Sequence, residues 1–537
     1  MASITISSTV AIICLSFLVN FLLRWTRKSI RIRGPPNPSF LLGHEWMRRH
    51  QNNHGDLEMD WFRKYGAVYR TSGCFAQDIL MVSDPKALHH MFHSSDYRFI
   101  KTRDTIFVLD LLLGQGILSV QGEKHQHQRK VLSIAFSSAQ LHQSLPMLQS
   151  CGARLVERLK DISDDHTGAI NVLEWTRKVA LDIVGTASFR YHFGMLDGEH
   201  SELGAAVTNL LGDAQINPST KELYIRSLWR YLPDRVLKIM KDRMASREST
   251  RFTLFGRTAK VVAKQIFQER LPVVAGQADL SEKDIVSLLA KSHLSDDEKD
   301  KMTDDEILSQ LATFIFAGHE TTASTLAWFL YELSSHPEHQ ARIREEIEAC
   351  QGQISSLANY DSMSFLNAAI KEVLRLHPTI HSLVRMPSRD EVLPLAEPIR
   401  TQDGRTLNEV PVSKGQTVIA SLYVYNRMPS IWGKDAGQWN PERFLDNDKK
   451  QGPLGVYANL MTFSTGARSC LGWRFAVMEI QVVIVELLRI FEFSLPKDGS
   501  VMREYPGSQM VIPLVSGKTN EGAQVPLHVK VVERSTQ

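Results

Sequence analysis

The ten residues FSTGARSCLG, positions 463–472, combine an aromatic side chain, two glycines, an arginine and a cysteine. Cysteine is scarce in this chain, with five among 537 residues. The five are far apart and odd in number, which argues against a disulfide framework and is typical of a reducing compartment. Cys470 is therefore either an inert buried thiol or a residue with a chemical role.

Three interpretations of Cys470 compete. A zinc site would need further ligands close by, and residues 450–490 contain no other Cys or His. A buried structural cysteine would leave its four companions unexplained. Haem iron accepts a thiolate ligand, and flanking glycines let the backbone approach the metal and the porphyrin closely. The pattern F-x-x-G-x-R-x-C-x-G arises by chance about once in several thousand chains of this size, so it favours a haem-thiolate site.

Composition limits the class of protein. Hydrophobic residues make up 43% of the chain and charged residues 23%, which is ordinary for a globular protein with a large core. The net charge of +3 is small for this length. A nucleic-acid-binding protein would need a concentrated basic face, so nucleic acid is not an expected partner.

The N-terminus departs from this composition. Residues 1–23 carry no charged side chain, and about 20 apolar residues suffice for a helix that spans a bilayer. We expect an uncleaved membrane anchor over 1–23; a cleaved signal peptide is the competing interpretation, without an evident charged n-region or cleavage site. Five basic residues between 24 and 33 predict a cytosolic body. The prolines of GPPNP then predict a stiff spacer, so we assign 24–44 to a basic and proline-rich linker.

Helical periodicity dominates the rest of the chain. We predict a mainly α fold with small β-sheets, a single large domain over 45–537, preceded by the transmembrane helix. Helices are predicted at 139–160, 171–189, 304–335, 337–348, 364–376 and 473–491. Strands are predicted at 67–70, 79–82, 417–421 and 527–532.

The helix predicted at 304–335 contains an unusual polar segment, AGHETT, at 317–322. Thr303 and Glu306 fit a capping box at its start, and Pro337 marks its end. A glycine inside a helix costs about 1 kcal/mol relative to alanine, and an acid with a hydroxyl in an apolar stretch needs compensation. From these residues alone, a helix-packing glycine beside a solvated edge is as good an interpretation as a functional site.

Two charged fragments are equally ambiguous on their own. In KEVLR, Glu372 and Arg375 are three residues apart on a predicted helix and can pair. In NPERF, Arg443 follows a proline in a loop rich in glycine and tryptophan. Surface ion pairs are common and contribute little, so KEVLR alone indicates no more than a surface pair. NPERF alone indicates no more than a solvated loop.

Taken together, FSTGARSCLG, AGHETT, KEVLR and PERF resemble the four signature motifs of the cytochrome P-450 family, the haem-thiolate monooxygenases, in the family's order. The resemblance implies that Cys470 is the axial ligand of haem b, that Arg468 pairs with a propionate and that Phe463 shields the sulfur. It implies an oxygen groove and proton relay at Glu320 and Thr321. The further implied residues are the haem-approaching Gly466 and Gly472 and a buried charge triad of Glu372, Arg375 and Arg443.

Three further haem contacts follow from weaker resemblance. GEKHQHQRK is similar to the family helix with a W-x-x-x-R pattern, which makes Arg129 a propionate ligand. His125 stands where tryptophan is usual. Its spacing from Arg129 places both on one helix face, where an imidazole can donate a hydrogen bond as an indole does. Arg385 resembles a third propionate contact.

The resemblance to membrane-anchored members implies the rest of the function. One oxygen atom of O2 would enter a lipophilic small molecule, with electrons from NADPH delivered by cytochrome P-450 reductase at the endoplasmic reticulum membrane. Lys124 and Lys130 are candidate contacts for that reductase. Two alternatives stay open, a reductase-independent isomerase or peroxide-rearranging enzyme and a haem-binding sensor without turnover.

Family analogy also places the substrate pocket. Its walls are expected from 105–118, the middle of the 304–335 helix, 379–384 and 509–512, with Phe107, Phe314 and Phe316 as aromatic members. These segments are mostly aliphatic and contain no evident unpaired cation for a carboxylate. CLGWRFAVMEIQ is similar to fungal members that decorate secondary metabolites, which favours a terpenoid or related intermediate.

Overall fold

The computed structural model describes residues 31–532 except for 166–167, 200–201, 208–209, 241–245, 277–283, 298, 300, 351–353, 446–453 and 499. The predicted anchor at 1–23 lies outside the described residues. No helix within the described range is both long and apolar enough to cross a bilayer. The described part of the predicted linker packs on the body, because Ile32 pairs with Thr401 in a β-bridge and Arg70 donates its backbone N–H to Arg33 at 3.0 Å.

Helices form most of the described fold, as predicted. The α-helices are α1 Glu45–Arg49, α2 Asp56–Tyr65, α3 Pro85–His89, α4 Arg103–Leu113, α5 Gly122–Ser133, α6 Ser138–Asp165, α7 Val172–Val184, α8 Glu202–Val207, α9 Leu210–Gln215, α10 Thr220–Trp229, α11 Asp234–Met240, α12 Arg247–Gly276, α13 Ile285–Leu294, α14 Asp304–Ser335, α15 Pro337–Ala349, α16 Leu357–Ser362, α17 Ser364–Leu376, α18 Leu422–Tyr425, α19 Pro429–Trp432 and α20 Trp473–Leu488.

Small sheets lie beside the helices. The strands are β1 Val68–Gly73, β2 Gln77–Val82, β3 Phe99–Ile100, β4 Ile170–Asn171, β5 Ser382–Pro387, β6 Glu391–Arg400, β7 Thr406–Val412, β8 Thr417–Ser421, β9 Phe491–Ser494, β10 Met502–Pro506, β11 Val511–Val515 and β12 Pro526–Val531. The largest sheet has the order β1-β2-β8-β5-β3, in which only the β2–β8 pair is parallel. The others are β4-β12-β9, β6-β7 and β10-β11.

Helix α14 crosses the body with the bounds predicted from its caps. Thr303 Oγ1 accepts the backbone N–H of Glu306, and the Glu306 carboxylate accepts that of Thr303 at 3.0 Å, which completes the capping box. Gly318 is explained by packing, because a Cβ there would lie 2.6 Å from Val184 of α7. Because glycine has no side chain, the two buried helices can approach each other closely at this position.

A buried ion network holds α17 to the turn Pro441–Phe444, which follows α19 in the chain. Glu372 accepts hydrogen bonds from Arg375 at 2.7 and 2.8 Å and from Arg443 at 3.0 and 3.1 Å. Glu372 and Arg375 are fully buried, and Arg443 is 8% exposed. The structure thus brings the three predicted charges together in the interior rather than on a solvated surface.

We expect Glu372→Ala to destabilise the fold by about 3–5 kcal/mol, because it leaves the buried Arg375 without a carboxylate and Arg443 with Asp435 alone. Urea unfolding followed by tryptophan fluorescence measures the change. Glu345→Ala is the control, since it removes an exposed carboxylate from α15. Equal stability of the two variants would contradict the role given to the network.

Candidate active site

A cavity of about 430 Å³ lies between α14 and the loop that precedes α20. Its volume is within the usual range for small-molecule sites. Thr321 of α14 and Cys470 of the loop both line it, although 149 residues separate them in sequence. Most of the remaining wall is apolar, including Val108, Leu109, Leu112, Phe314, Phe316 and Leu383. The predicted Phe107 is not part of this wall and packs against Trp229 at 5.1 Å between ring centroids.

Cys470 is exposed to this interior cavity, while protein atoms surround it on its other sides. Its backbone N–H donates to the Phe463 carbonyl at 2.9 Å, so the loop folds back on itself around the sulfur. Burial raises the pKa of the Cys470 thiol, opposed by the backbone N–H of Gly472 and the charge of Arg129. A metal ion at this position would hold the cysteine as a thiolate.

The two glycines of the motif let the loop backbone approach neighbouring residues closely. Gly466 has φ +70°, and a Cβ there would lie 1.8 Å from the Phe92 carbonyl oxygen. Gly472 precedes α20 as its N-cap, and a Cβ there would lie 3.2 Å from the Phe136 ring. Gly466 is therefore needed to place the loop, and Gly472 keeps the wall of the cavity open.

Asn426, which was not predicted from the sequence, joins the ion network to the cysteine loop. Its backbone carbonyl accepts a hydrogen bond from Arg375 at 2.8 Å. Its side chain accepts from the Met461 N–H at 3.1 Å and donates to Thr462 Oγ1 at 2.9 Å. Residues 461 and 462 lead directly into Phe463 and the loop. No local motif marked Asn426, because its partners lie 35–51 residues away.

Basic side chains crowd one side of the cavity. The predicted residues His125, Arg129, Arg385 and Arg468 all line it. Arg129 donates to the Ser469 carbonyl at 2.7 Å, and Arg468 donates to the Val120 carbonyl at 3.2 Å. One terminal nitrogen of Arg468 is buried without a partner. Among the described residues, none of these four groups forms an ion pair with a carboxylate.

Lys101 is a fifth basic member of this group that the sequence did not reveal. It lines the cavity, is 8% exposed and donates to the Leu118 carbonyl. Burial, with Arg468 and Arg385 nearby, lowers the pKa of Lys101 well below its usual value. Burial and Arg468 likewise lower the pKa of Arg385 to about 9.

His125 is held neutral in the same environment. Burial and the charges of Arg468, Lys101 and Arg129 lower the pKa of His125 to about 3. Its Nδ1 is hydrogen-bonded to the Tyr97 hydroxyl at 2.8 Å. A neutral imidazole among cations is a hydrogen-bonding group rather than another charge.

The basic group fits a porphyrin with two propionates. The buried cations of this group repel one another, and one terminal nitrogen of Arg468 has no hydrogen-bond acceptor. An anionic group bound here would offset both costs. The open thiol of Cys470 supplies a ligand for iron. The residues present therefore fit haem, with Arg129, Arg385, Arg468 and Lys101 placed to hold its carboxylates and Cys470 its metal.

The predicted oxygen-groove residues lie on different faces of α14. Thr321 lines the cavity, and its hydroxyl donates to the Ala317 carbonyl at 2.7 Å. Glu320 does not line the cavity and forms a buried ion pair with Arg177 of α7 at 2.6 Å. Burial would raise the pKa of Glu320, but Arg177 outweighs it and keeps that pKa below its usual value. Glu320 is thus fixed as a carboxylate one helix face away from the space above Cys470.

Comparison with known proteins agrees with this geometry. Residues 33–519 match the cytochrome P450 family. The chain is 33% identical over 486 residues to cytochrome P450 monooxygenase 91 of Postia placenta, covering 87% of this chain and 88% of that protein. It is 31% identical over 517 residues to cytochrome P450 monooxygenase claQ of Ampulloclitocybe clavipes, covering 94% and 93%.

An open cysteine beside a cationic wall and an apolar cavity defines a haem-thiolate protein. The chain belongs to the cytochrome P450 family and is a monooxygenase, as the family match and its relatives show. The predicted family, mainly helical fold and enzyme class are confirmed.

Gly466→Ala tests the packing of the cysteine loop. We expect bound haem per chain to fall at least about tenfold, because the added methyl group overlaps a backbone carbonyl and the residue keeps a left-handed φ. Pyridine haemochrome absorbance against protein concentration measures it. Gly437→Ala is the matched control, since nothing lies within 4 Å of a Cβ there. Normal haem content in Gly466→Ala would rule out the proposed constraint.

Proposed function

We propose that the protein uses haem b to insert one oxygen atom of O2 into a lipophilic small molecule, with electrons from NADPH supplied by a partner flavoprotein reductase. The observation that carries this proposal is the shared cavity, where Cys470 and the Thr321 hydroxyl line a space with mostly apolar walls. Such walls bind hydrocarbon surface and exclude water from the reacting centre.

Haem bound here would supply oxygen activation, which a thiolate ligand promotes by donating electron density to the iron. The chain's own residues bind and position it. Arg129, Arg385, Arg468 and Lys101 would hold the propionates, and Gly466 lets the loop place Cys470 where it would bind the metal. The hydroxyl of Thr321 holds a proton at Oγ1 inside the cavity, where it can be passed to a nearby oxygen.

Glu320 acts indirectly in this scheme. Its ion pair with Arg177 fixes α14 against α7 and keeps the carboxylate away from the cavity. A proton moving from Glu320 to Thr321 would first require that pair to open. We therefore assign the proton-holding role to Thr321 and a positioning role to Glu320.

The substrate is proposed to be a terpenoid or another secondary-metabolite intermediate. The aliphatic members Val108, Leu109, Leu112 and Leu383 favour a hydrocarbon body over a polar one. The relatives are described as cytochrome P450 monooxygenases, which supports the reaction type and leaves the substrate to experiment.

The partner and the location are proposed from the sequence. The chain contains no flavin or nicotinamide fingerprint, which favours an external electron donor. Residues 1–23 are proposed as the anchor in the endoplasmic reticulum membrane, with the catalytic body in the cytosol. Of the two suggested reductase contacts, Lys124 is already paired with Glu306 at 3.0 Å, which weakens its candidacy.

The function is tested with microsomes that contain the protein and a reductase, NADPH and a panel of terpenoid and other lipophilic metabolites. An oxygenated product that depends on NADPH supports the proposal. Turnover without NADPH or reductase would instead indicate the isomerase alternative, and haem binding without any product would indicate the sensor. Cys470→Ser should abolish the red-shifted Soret band of the ferrous carbon monoxide complex, and its persistence would refute the ligand assignment.

Thr321→Ala should uncouple the reaction. We expect product per NADPH oxidised to fall about tenfold to hundredfold, with peroxide released instead, because the cavity loses its proton-holding hydroxyl. Ser334→Ala is the matched control, since Ser334 makes the same bond to the carbonyl four residues earlier in α14 and does not line the cavity. Unchanged coupling in Thr321→Ala would contradict its role.

A further inference from the structure

A second, smaller cavity of about 90 Å³ adjoins the main one. Thr105, Arg226, Ser508 and Gln509 line both, so the two spaces share a wall. The small cavity lies among α1, α4, α10, the large sheet and the turn after β10. It has room for a few water molecules or one small polar group, since a water in the liquid occupies about 30 Å³.

The wall of this second cavity is mostly polar and charged, whereas most of the main cavity wall is apolar. Most of its charges are paired internally. Arg230 binds Asp104 at 2.8 Å, Arg48 binds Glu58 at 3.2 Å, and Arg226 is paired with Glu248. These pairs form a rigid polar lining whose charges compensate one another.

Arg49 is the exception. It donates to the Gln215 carbonyl at 3.1 Å, and its Nε is buried without a partner. Within the described part of the chain it forms no ion pair. Burial lowers the pKa of Arg49, assisted by the charge of Arg226 and only partly offset by Glu248. Among the described residues, Arg49 is therefore the cation of this cavity with no carboxylate in contact, and Glu248 and Glu45 act on it only at longer range.

Two buried histidines offer further open hydrogen-bonding atoms. His54 and His381 are 2% and 3% exposed, and their rings lie 3.9 Å apart between centroids. Nδ1 of His54 and Nε2 of His381 have no hydrogen-bond partner. Burial lowers the pKa of both rings well below the usual value, so they are neutral at physiological pH. A buried polar atom without a partner is costly, so these atoms point to an occupant of the cavity.

We propose that the second cavity is a subsite for the carboxylate of an elongated lipophilic substrate, with Arg49 as its counter-ion and His54 and His381 as additional hydrogen-bonding groups. The hydrocarbon body of that substrate then occupies the main cavity. One guanidinium group without a carboxylate in contact can pair with one carboxylate, and the nearby carboxylates of Glu45 and Glu248 disfavour the second charge of a phosphate monoester. The expectation that the predicted pocket segments contain no unpaired cation concerned other residues, since Arg49 lies on α1 outside those segments.

The subsite is tested by calorimetry on the haem-loaded full chain. The probes are decanoic, dodecanoic and hexadecanoic acids, each compared with its methyl ester, which has the same body without the charge. We expect at least one acid to bind about tenfold to hundredfold more tightly than its ester, since hydrogen bonds to charged groups are the strong ones. Equal affinities, or no measurable binding of any acid, would overturn the proposal.

Variants then assign the preference to Arg49. Arg49→Gln should reduce acid binding to the level of the ester while ester binding stays constant, and Arg49→Lys should restore part of the preference. Arg63→Gln is the matched control, because Arg63 is exposed on α2 and lines neither cavity. Haem content and the carbon monoxide spectrum verify that each variant is folded. A preference that survives in Arg49→Gln would refute the assignment.

The proposal depends on the proposed function in one respect, namely that the acid bound in the subsite is a substrate of the monooxygenase. Calorimetry requires neither electrons nor O2, so acid binding is measured whether or not turnover occurs. Arg49-dependent binding without an oxygenated product would count against the monooxygenase substrate class and leave the subsite standing. An oxygenated product from a neutral metabolite, together with equal binding of each acid and its ester, would support the monooxygenase function and overturn the subsite.

Discussion

The ion network around the buried carboxylate of Glu372 is the interaction on which the geometry of the site depends. It binds two guanidinium groups and the backbone N–H of Asn440 at 2.8 Å, all in the interior. Arg375 also donates a hydrogen bond to the backbone carbonyl of Asn426. The amide side chain of Asn426 binds residues 461 and 462, which lead into the loop that carries Cys470. A charge on α17 thereby sets the position of a sulfur nearly 100 residues later in the chain. A buried pair of this kind contributes little net stability, but it specifies one geometry.

The main cavity has a cationic side and an apolar side. Its cationic side, formed by Lys101, Arg129, Arg385 and Arg468, is suited to the acidic edge of a porphyrin. Its apolar side is suited to a hydrocarbon. The Thr321 hydroxyl also lines this cavity, on a helix whose close contact with α7 depends on Gly318. The second cavity adjoins the main one along a polar wall of Thr105, Arg226, Ser508 and Gln509 and adds the guanidinium group of Arg49.

Local signals in the sequence predicted part of this structure well. Helices α14 and α17 have their predicted bounds, because a capping box and Pro337 define α14 and a strong apolar period defines α17. The helix predicted at 473–491 ends earlier, at Leu488, because Phe491 pairs with Val531 in a sheet. Asn426, Lys101 and Arg49 were not recognised, since each acquires its role from partners distant in sequence. The four family motifs were recognisable because each is compact.

The crowded cations of the main cavity also have a consequence for the living cell. Without an anionic occupant, the chain must bury repelling charges and an unsatisfied guanidinium nitrogen, so its folded form is stabilised by whatever binds there. The abundance of the protein should then follow the supply of porphyrin and iron as much as the level of its messenger RNA. Chains made in excess of that supply would be the ones that quality-control proteases remove first.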